Sequence, residues 1–241
     1  MKKYLILVLL LLSMIFSGCS TGPMVFDPSV PLEQSSKIIL NSSRITKFNG
    51  KKVSWIPSLF NYNRMTITIP SGRNTFDGNF FISGKTSLLV KDVTYDFLPG
   101  KTYYIYGIIY QYSLTKYENH VRIIDESLFH LELIPNTKDE NASVLEGIWV
   151  DIKEQENKII FAGNYFIEDY KIFGKINKRR GMFNIDGDKI FLEYFAGYGK
   201  IPGNENETWF TGSYGYPSVF TLDGTTLKSQ MLGGSQYNKL Q

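Results

Sequence analysis

His120 and His130 are the only histidines in the 241 residues, and Cys19 is the only cysteine. Imidazole and thiol are the groups best suited to metal, acid–base or nucleophilic chemistry near neutral pH, so their spacing comes first. The histidines form no His-x-His or His-Glu-x-x-His pattern. Metal centres want clustered nitrogen, sulfur or oxygen ligands, and surface or packing roles suit both histidines better. A serine hydrolase of Gly-x-Ser-x-Gly type presents its nucleophile on a sharp turn. Gly212-Ser213-Tyr214-Gly215 carries only part of that pattern and reads as a hairpin. Asp186-Gly187-Asp188 opens like a calcium loop, but no third oxygen ligand and no glutamate follow at EF-hand spacing. A hairpin turn accounts for it. Arg179-Arg180 is a small basic pair that reads as exposed. No catalytic residue, metal ligand or cofactor is expected.

Apolar capture is a second kind of chemistry to consider. Trp149, Phe161, Tyr165, Phe183, Phe191 and Trp209 could line a cavity for a lipid or other small hydrophobe. They could equally fill a core, because aromatics on alternate strand positions are what a β core requires.

Cys19 closes an N-terminal run of distinctive order. Lys2-Lys3 precede an apolar block from Tyr4 to Leu12, and Phe16-Ser17-Gly18 stand immediately before the cysteine. A positive start and a short apolar core read as a secretory signal. Crossing a bilayer takes about 20 apolar residues, and Ser17 to Pro23 end the run before that. Ser17-Gly18-Cys19 resembles a bacterial lipobox, with Phe16 where leucine is usual. In that respect the segment is similar to the relaxed lipoboxes of spirochaete envelope lipoproteins. The resemblance implies that Phe16, Ser17 and Gly18 are the signal-peptidase recognition residues. Residues 1–18 would be removed, and Cys19 would become the lipidated first residue of the mature chain. A diacylglycerol would be thioether-linked to its sulfur, and an acyl group such as palmitate carried on its amine. Two or more chains give stable membrane attachment.

Composition narrows the class of partner. The formal charge is +3, and without Lys2 and Lys3 there are 24 basic residues against 23 acidic. A nucleic-acid binder shows a basic footprint; this chain has none, so no nucleic-acid partner is expected. The 17 Phe, 16 Tyr and 21 Gly lean towards strands and turns.

The elements that must hold these residues follow from turn chemistry. Residues 19–36 contain Pro23, Pro28 and Pro31 and read as an extended tether. Asn49-Gly50 lies between Arg44–Phe48 and Lys51–Trp55, the strongest short hairpin signal because a type I′ turn needs positive φ at both central residues. Met65–Ile69, Thr75–Ser83, Leu88–Phe97 and Thr102–Tyr112 read as further strands. The landmarks Phe48-Asn49-Gly50-Lys51-Lys52-Val53, Ile69-Pro70-Ser71-Gly72 and Leu98-Pro99-Gly100-Lys101-Thr102-Tyr103 resemble the carboxypeptidase-regulatory or transthyretin-type β-sandwich. In such folds the module is usually a spacer or adhesion element. Residues 37–135 are therefore expected to form a sandwich, with 136–143 as a polar linker.

From Val144 a second series of short strands begins, with turn signals at the roughly 8–12-residue spacing of a sandwich or barrel. Lys189-Ile190-Phe191-Leu192-Glu193-Tyr194 reads as an alternating strand, and a meander closed into a barrel is expected. Gly147-Ile148-Trp149, the hairpin Gly181–Ile190 and the closing Tyr237-Asn238-Lys239 resemble bacterial lipocalin-like envelope domains. The expected fold is thus all-β, with two tandem antiparallel domains: a sandwich, then a small up-and-down barrel over 144–241. The expected function is a lipid-anchored cell-envelope protein without enzymatic activity, on the outer rather than the inner membrane. Its partners would be the membrane and an envelope protein. The rival readings are a carrier of a small hydrophobic ligand and, from another class, an envelope hydrolase with a Ser or Asp in reach of a histidine.

Overall fold

Strands account for nearly all regular structure, as aromatic and β-branched runs punctuated by Gly, Asn and Asp require. The computed structural model describes residues 24–25, 29–41, 43–53, 64–82, 86–113, 115–135, 143–172, 175–200, 206–211, 216–230 and 234–240. The expectations for Phe16, Ser17, Gly18 and Cys19 lie outside the described residues. The first strands are β1 (Met24–Val25), β2 (Ser35–Asn41), β3 (Ser43–Phe48), β4 (Lys51–Lys52) and β5 (Arg64–Pro70). They are followed by β6 (Gly72–Ile82), β7 (Thr86–Phe97), β8 (Thr102–Gln111) and β9 (Tyr117–Asp125).

These strands form two sheets, ordered β1-β5-β2-β8-β9 and β4-β3-β6-β7. Asn49 and Gly50 hold φ of 45° and 78°, the positive pair that a type I′ hairpin demands. Ile38, Leu40, Ile67, Ile69, Tyr103 and Ile105 of the first sheet pack on Ile45, Phe48, Phe76, Phe80 and Phe97 of the second. Two departures from expectation stand out. β2 pairs with β8, and β1 with β5, in parallel rather than antiparallel register. The chain also joins the fold earlier than Lys37. Met24–Val25 extend the first sheet, and Ser35 and Ser36 are buried, their hydroxyls donating to the Pro31 and Leu98 carbonyls.

β9 was not foreseen in the sequence. Its first half is polar and exposed because it lies at a sheet edge, so it shows no clean alternation. A 3-10 turn over Glu126–His130 follows, its start capped by the Asp125 carboxylate accepting from the Ser127 N–H.

The second series comprises β10 (Gly147–Asp151), β11 (Lys158–Ala162), β12 (Tyr165–Ile172), β13 (Lys175–Asp186) and β14 (Lys189–Lys200). It continues with β15 (Glu207–Thr211), β16 (Ser218–Asp223), β17 (Thr226–Ser229) and β18 (Gln236–Lys239). Each neighbour pairs antiparallel in sequence, β14 passes to β16, and β18 closes on β10. The result is a closed eight-stranded antiparallel barrel. β15 hangs from the far half of β14 as an extra strand. Trp149, Ile159, Phe161, Phe166, Leu192, Phe220, Leu227 and Tyr237 fill the interior.

Gly181 makes barrel closure possible. It sits where the β13–β14 register shifts, and a Cβ there would collide with the Glu193 carbonyl and the Phe166 ring.

A third core joins sheet to barrel. Ile39, Tyr104, Tyr106, Ile108, Tyr110 and Phe129 pack on Phe191, Phe195 and Ala196 of β14. β8 is therefore buried on both faces from Tyr103 to Tyr110. β14 behaves the same way from Ile190 to Gly197, so its expected alternation is replaced by burial of both sides.

Candidate functional site

The six aromatic candidates do not share one cavity. Trp149, Phe161 and Phe183 belong to the barrel interior. The Trp149 indole N–H donates to the Leu145 carbonyl at 2.8 Å, and Phe183 meets Phe161 edge-on at 5.1 Å. Tyr165, Phe191 and Trp209 lie on the opposite, outer face of their strands, in the core shared with the first sheet. Period-two alternation separates the two sets: the register that turns Phe166 inward turns Tyr165 outward.

The histidines stand apart. His120 lies edge-on to Tyr110, with Nε2 3.5 Å from a Glu118 oxygen. His130 is exposed and lies edge-on to Trp209. Asp186-Gly187-Asp188 forms the exposed turn between β13 and β14. Among the described residues no group of three His, Cys, Asp or Glu side chains is gathered as a metal site would require.

Two charged centres are built that the sequence did not reveal. The first lies inside the barrel. Phe166, Glu168 and Tyr170 share the inward face of β12, and β13 sets Arg179 opposite Glu168. The Arg179 guanidinium donates to Glu168 at 3.2 Å and stacks on the Tyr170 and Tyr194 rings, at 4.2 and 4.8 Å from their centroids. Glu168 is 5% exposed. Burial raises its pKa above the ordinary 4.5, while the Arg179 charge and the neighbouring Tyr194 and Tyr237 hydroxyls oppose that rise. The Tyr194 pKa is pushed well up, by burial first and then by the Glu168 charge, so it stays a neutral hydroxyl donor.

A cleft of about 60 Å³ opens at this end of the barrel. Tyr170, Asn177, Arg179, Gly197, Gly199 and Phe210 are in its wall. Arg179-Arg180 is thus not an exposed pair. Arg179 points in, while Arg180 is 8% exposed on the outside, donates to the Leu131 carbonyl and stacks on Trp209.

The second centre joins barrel to sheet. Glu193 is fully buried on the outer face of β14. It accepts from the Tyr106 hydroxyl at 3.0 Å, the Tyr110 hydroxyl at 2.6 Å, and Arg122 Nε at 3.0 and 2.9 Å. Burial, then the Glu193 charge, raises the pKa of both tyrosines and keeps them as donors. Every bond in this set spans more than seventy residues of sequence, which is why no local pattern announces it. The available signal was a glutamate inside a continuous apolar run, Ile190-Phe191-Leu192-Glu193-Tyr194-Phe195. Such a run marks a strand covered on both faces, and a charge there needs a partner.

Compared with known proteins, the chain matches no family model, no curated protein and no solved structure.

Proposed function

We propose that this is a lipid-anchored cell-envelope protein, held at the outer membrane through Cys19, acting as a non-enzymatic binding or structural module. The observation that carries the reading is where the chain joins the fold. Met24 is already paired in the first sheet, five residues after Cys19. Five residues reach at most about 18 Å. A lipid on Cys19 would therefore hold the sheet close to the bilayer rather than on a long stalk.

The buried Glu193 centre and the third core support a module that keeps its shape while tethered. Division into tandem domains, 37–135 and 144–241, is part of the proposal. Each segment has its own core, and the third core couples them.

Metabolic labelling with a fatty acid tests the anchor. The natural chain should incorporate label and Cys19→Ala should not; label that survives the substitution refutes lipidation.

A carrier role remains the second reading, supported by the aromatic interior around Trp149, Phe161 and Phe183. Native mass spectrometry of the purified protein should then find a co-purified apolar molecule.

A further inference from the structure

We propose that Asn49 is a site of covalent self-modification, deamidation through its own backbone, and that Asn74 is the residue that holds the reaction in check. This stands whether or not Cys19 is lipidated. Asn49-Gly50 is the only Asn-Gly pair in the chain. The step needs only water as co-reactant. The Gly50 backbone nitrogen gives its proton to solvent and attacks Asn49 Cγ, and the side-chain amide nitrogen takes up a proton and leaves as ammonia. A cyclic succinimide results. Water then opens the ring at either carbonyl, which gives aspartate or isoaspartate at position 49. Glycine carries no Cβ to crowd the attacking nitrogen. Both residues are exposed, so water reaches the pair.

What restrains the reaction is the hold on the side chain. Asn49 Nδ2 donates to Asn74 Oδ1 at 2.8 Å, and Asn49 Oδ1 accepts from the Thr75 N–H at 2.9 Å. Ring closure must swing Cγ onto the Gly50 nitrogen, and that rotation breaks both bonds. The backbone is fixed too. The Asn49 N–H donates to the Thr75 carbonyl at 2.8 Å, and the turn sets φ at 45°.

Asn74 is built for this hold. It is 3% exposed, and its amide nitrogen donates to the Pro70 and Gly72 carbonyls, both at 2.9 Å. Those two bonds use both of its N–H donors and fix which end of the amide faces Asn49. Its Oδ1 is left as the acceptor for Asn49 Nδ2. The two asparagines are 25 residues apart, so the hold exists only while β3 and β6 are paired.

The products do not fit the hold. Aspartate at position 49 keeps an acceptor for the Thr75 N–H but has no donor for Asn74 Oδ1, and it sets two oxygens against each other. Isoaspartate adds a methylene to the backbone of a tight turn. That turn joins β3 to β4, and Phe48 at its start packs with Phe76 in the core between the two sheets. Conversion of Asn49 therefore loosens this core.

The test follows the full chain in mildly alkaline buffer. Peptide mass mapping reads conversion at position 49, and chromatography separates the isoaspartate product. The folded natural chain should convert at least about tenfold more slowly than the same chain unfolded in urea, a factor within reach of two net hydrogen bonds. Asn74→Ala, shown to be folded by far-UV circular dichroism, should lose most of that protection. If Asn74→Ala does not fold, solvent exchange of the Asn49 side-chain N–H protons in the natural chain decides, and slowed exchange supports the hold. Equal conversion of folded and unfolded chains, a folded Asn74→Ala that converts no faster than the natural chain, or Asn49 N–H exchange at the unfolded rate each overturns the proposal.

Discussion

Glu193 and Glu168 are both buried carboxylates, yet their surroundings give them different consequences. Glu193 accepts from two tyrosine hydroxyls and from the Arg122 guanidinium. Glu193→Ala would leave Arg122 and two tyrosine hydroxyls around an empty centre. Breaking one side of a buried pair costs ~3–5 kcal/mol, so urea denaturation should show a loss of that order. Glu193→Gln keeps the shape and should lose less, ~1–3 kcal/mol. Equal stability of the alanine variant would show that the centre is solvated.

Glu168 instead has a raised pKa. An acid with a higher pKa when folded binds its proton more tightly in the native state. Its contribution is complete below the unfolded value, near 4.5, and is lost as pH rises through the elevated folded value. The stability of the natural chain relative to Glu168→Gln should therefore fall as pH rises above the ordinary carboxylate value, near 4.5. A relative stability that rises over this window would reverse the assignment.

The β13–β14 hairpin shows how one element can serve two layers. Its inward residues, Arg179, Phe183, Ile190, Leu192 and Tyr194, complete the barrel, while its outward residues, Phe191, Glu193 and Phe195, complete the shared core. The hinge of this arrangement is Gly181, which leaves no room for a Cβ against the Glu193 backbone. Because the obstacle is backbone and not a mobile side-chain tip, Gly181→Ala should cost at least the ~1–3 kcal/mol of an overpacked core. Thermal unfolding by circular dichroism measures it, and an unchanged midpoint would mean that the strands separate freely there.

The hairpin was legible in the sequence from its Asp-Gly turn. Its two-sided burial was not, because period-two alternation identifies which residues share a face, not what covers each face. The same limit hid β9, whose exposed half looks like loop.

The molecule as a whole is three cores in series: between the two sheets, between sheet and barrel, and within the barrel. Phe129 is 1% exposed in the middle one and lies near Phe195 and Trp209. Phe129→Ala should cost ~3–5 kcal/mol. Tryptophan fluorescence in a Trp55→Phe background, where Trp149 and Trp209 of the second series report, and far-UV circular dichroism, which reports all strands, should shift together. Non-coincident transitions would mean that the two sheets and the barrel unfold independently.

By itself, the sequence determined what is written within a few residues. The Asn49-Gly50 and Asp186-Gly187 turns, the strand-forming runs and the meander order are local, because turn dihedrals and strand pleat depend on neighbouring residues. Tertiary structure alone decided which aromatics face into the barrel and which face the sheet. It also set Glu168 on Arg179 and Glu193 on Arg122. Those outcomes depend on register, barrel closure and the docking of one layer on another, and a single-residue slip in register would exchange the two faces.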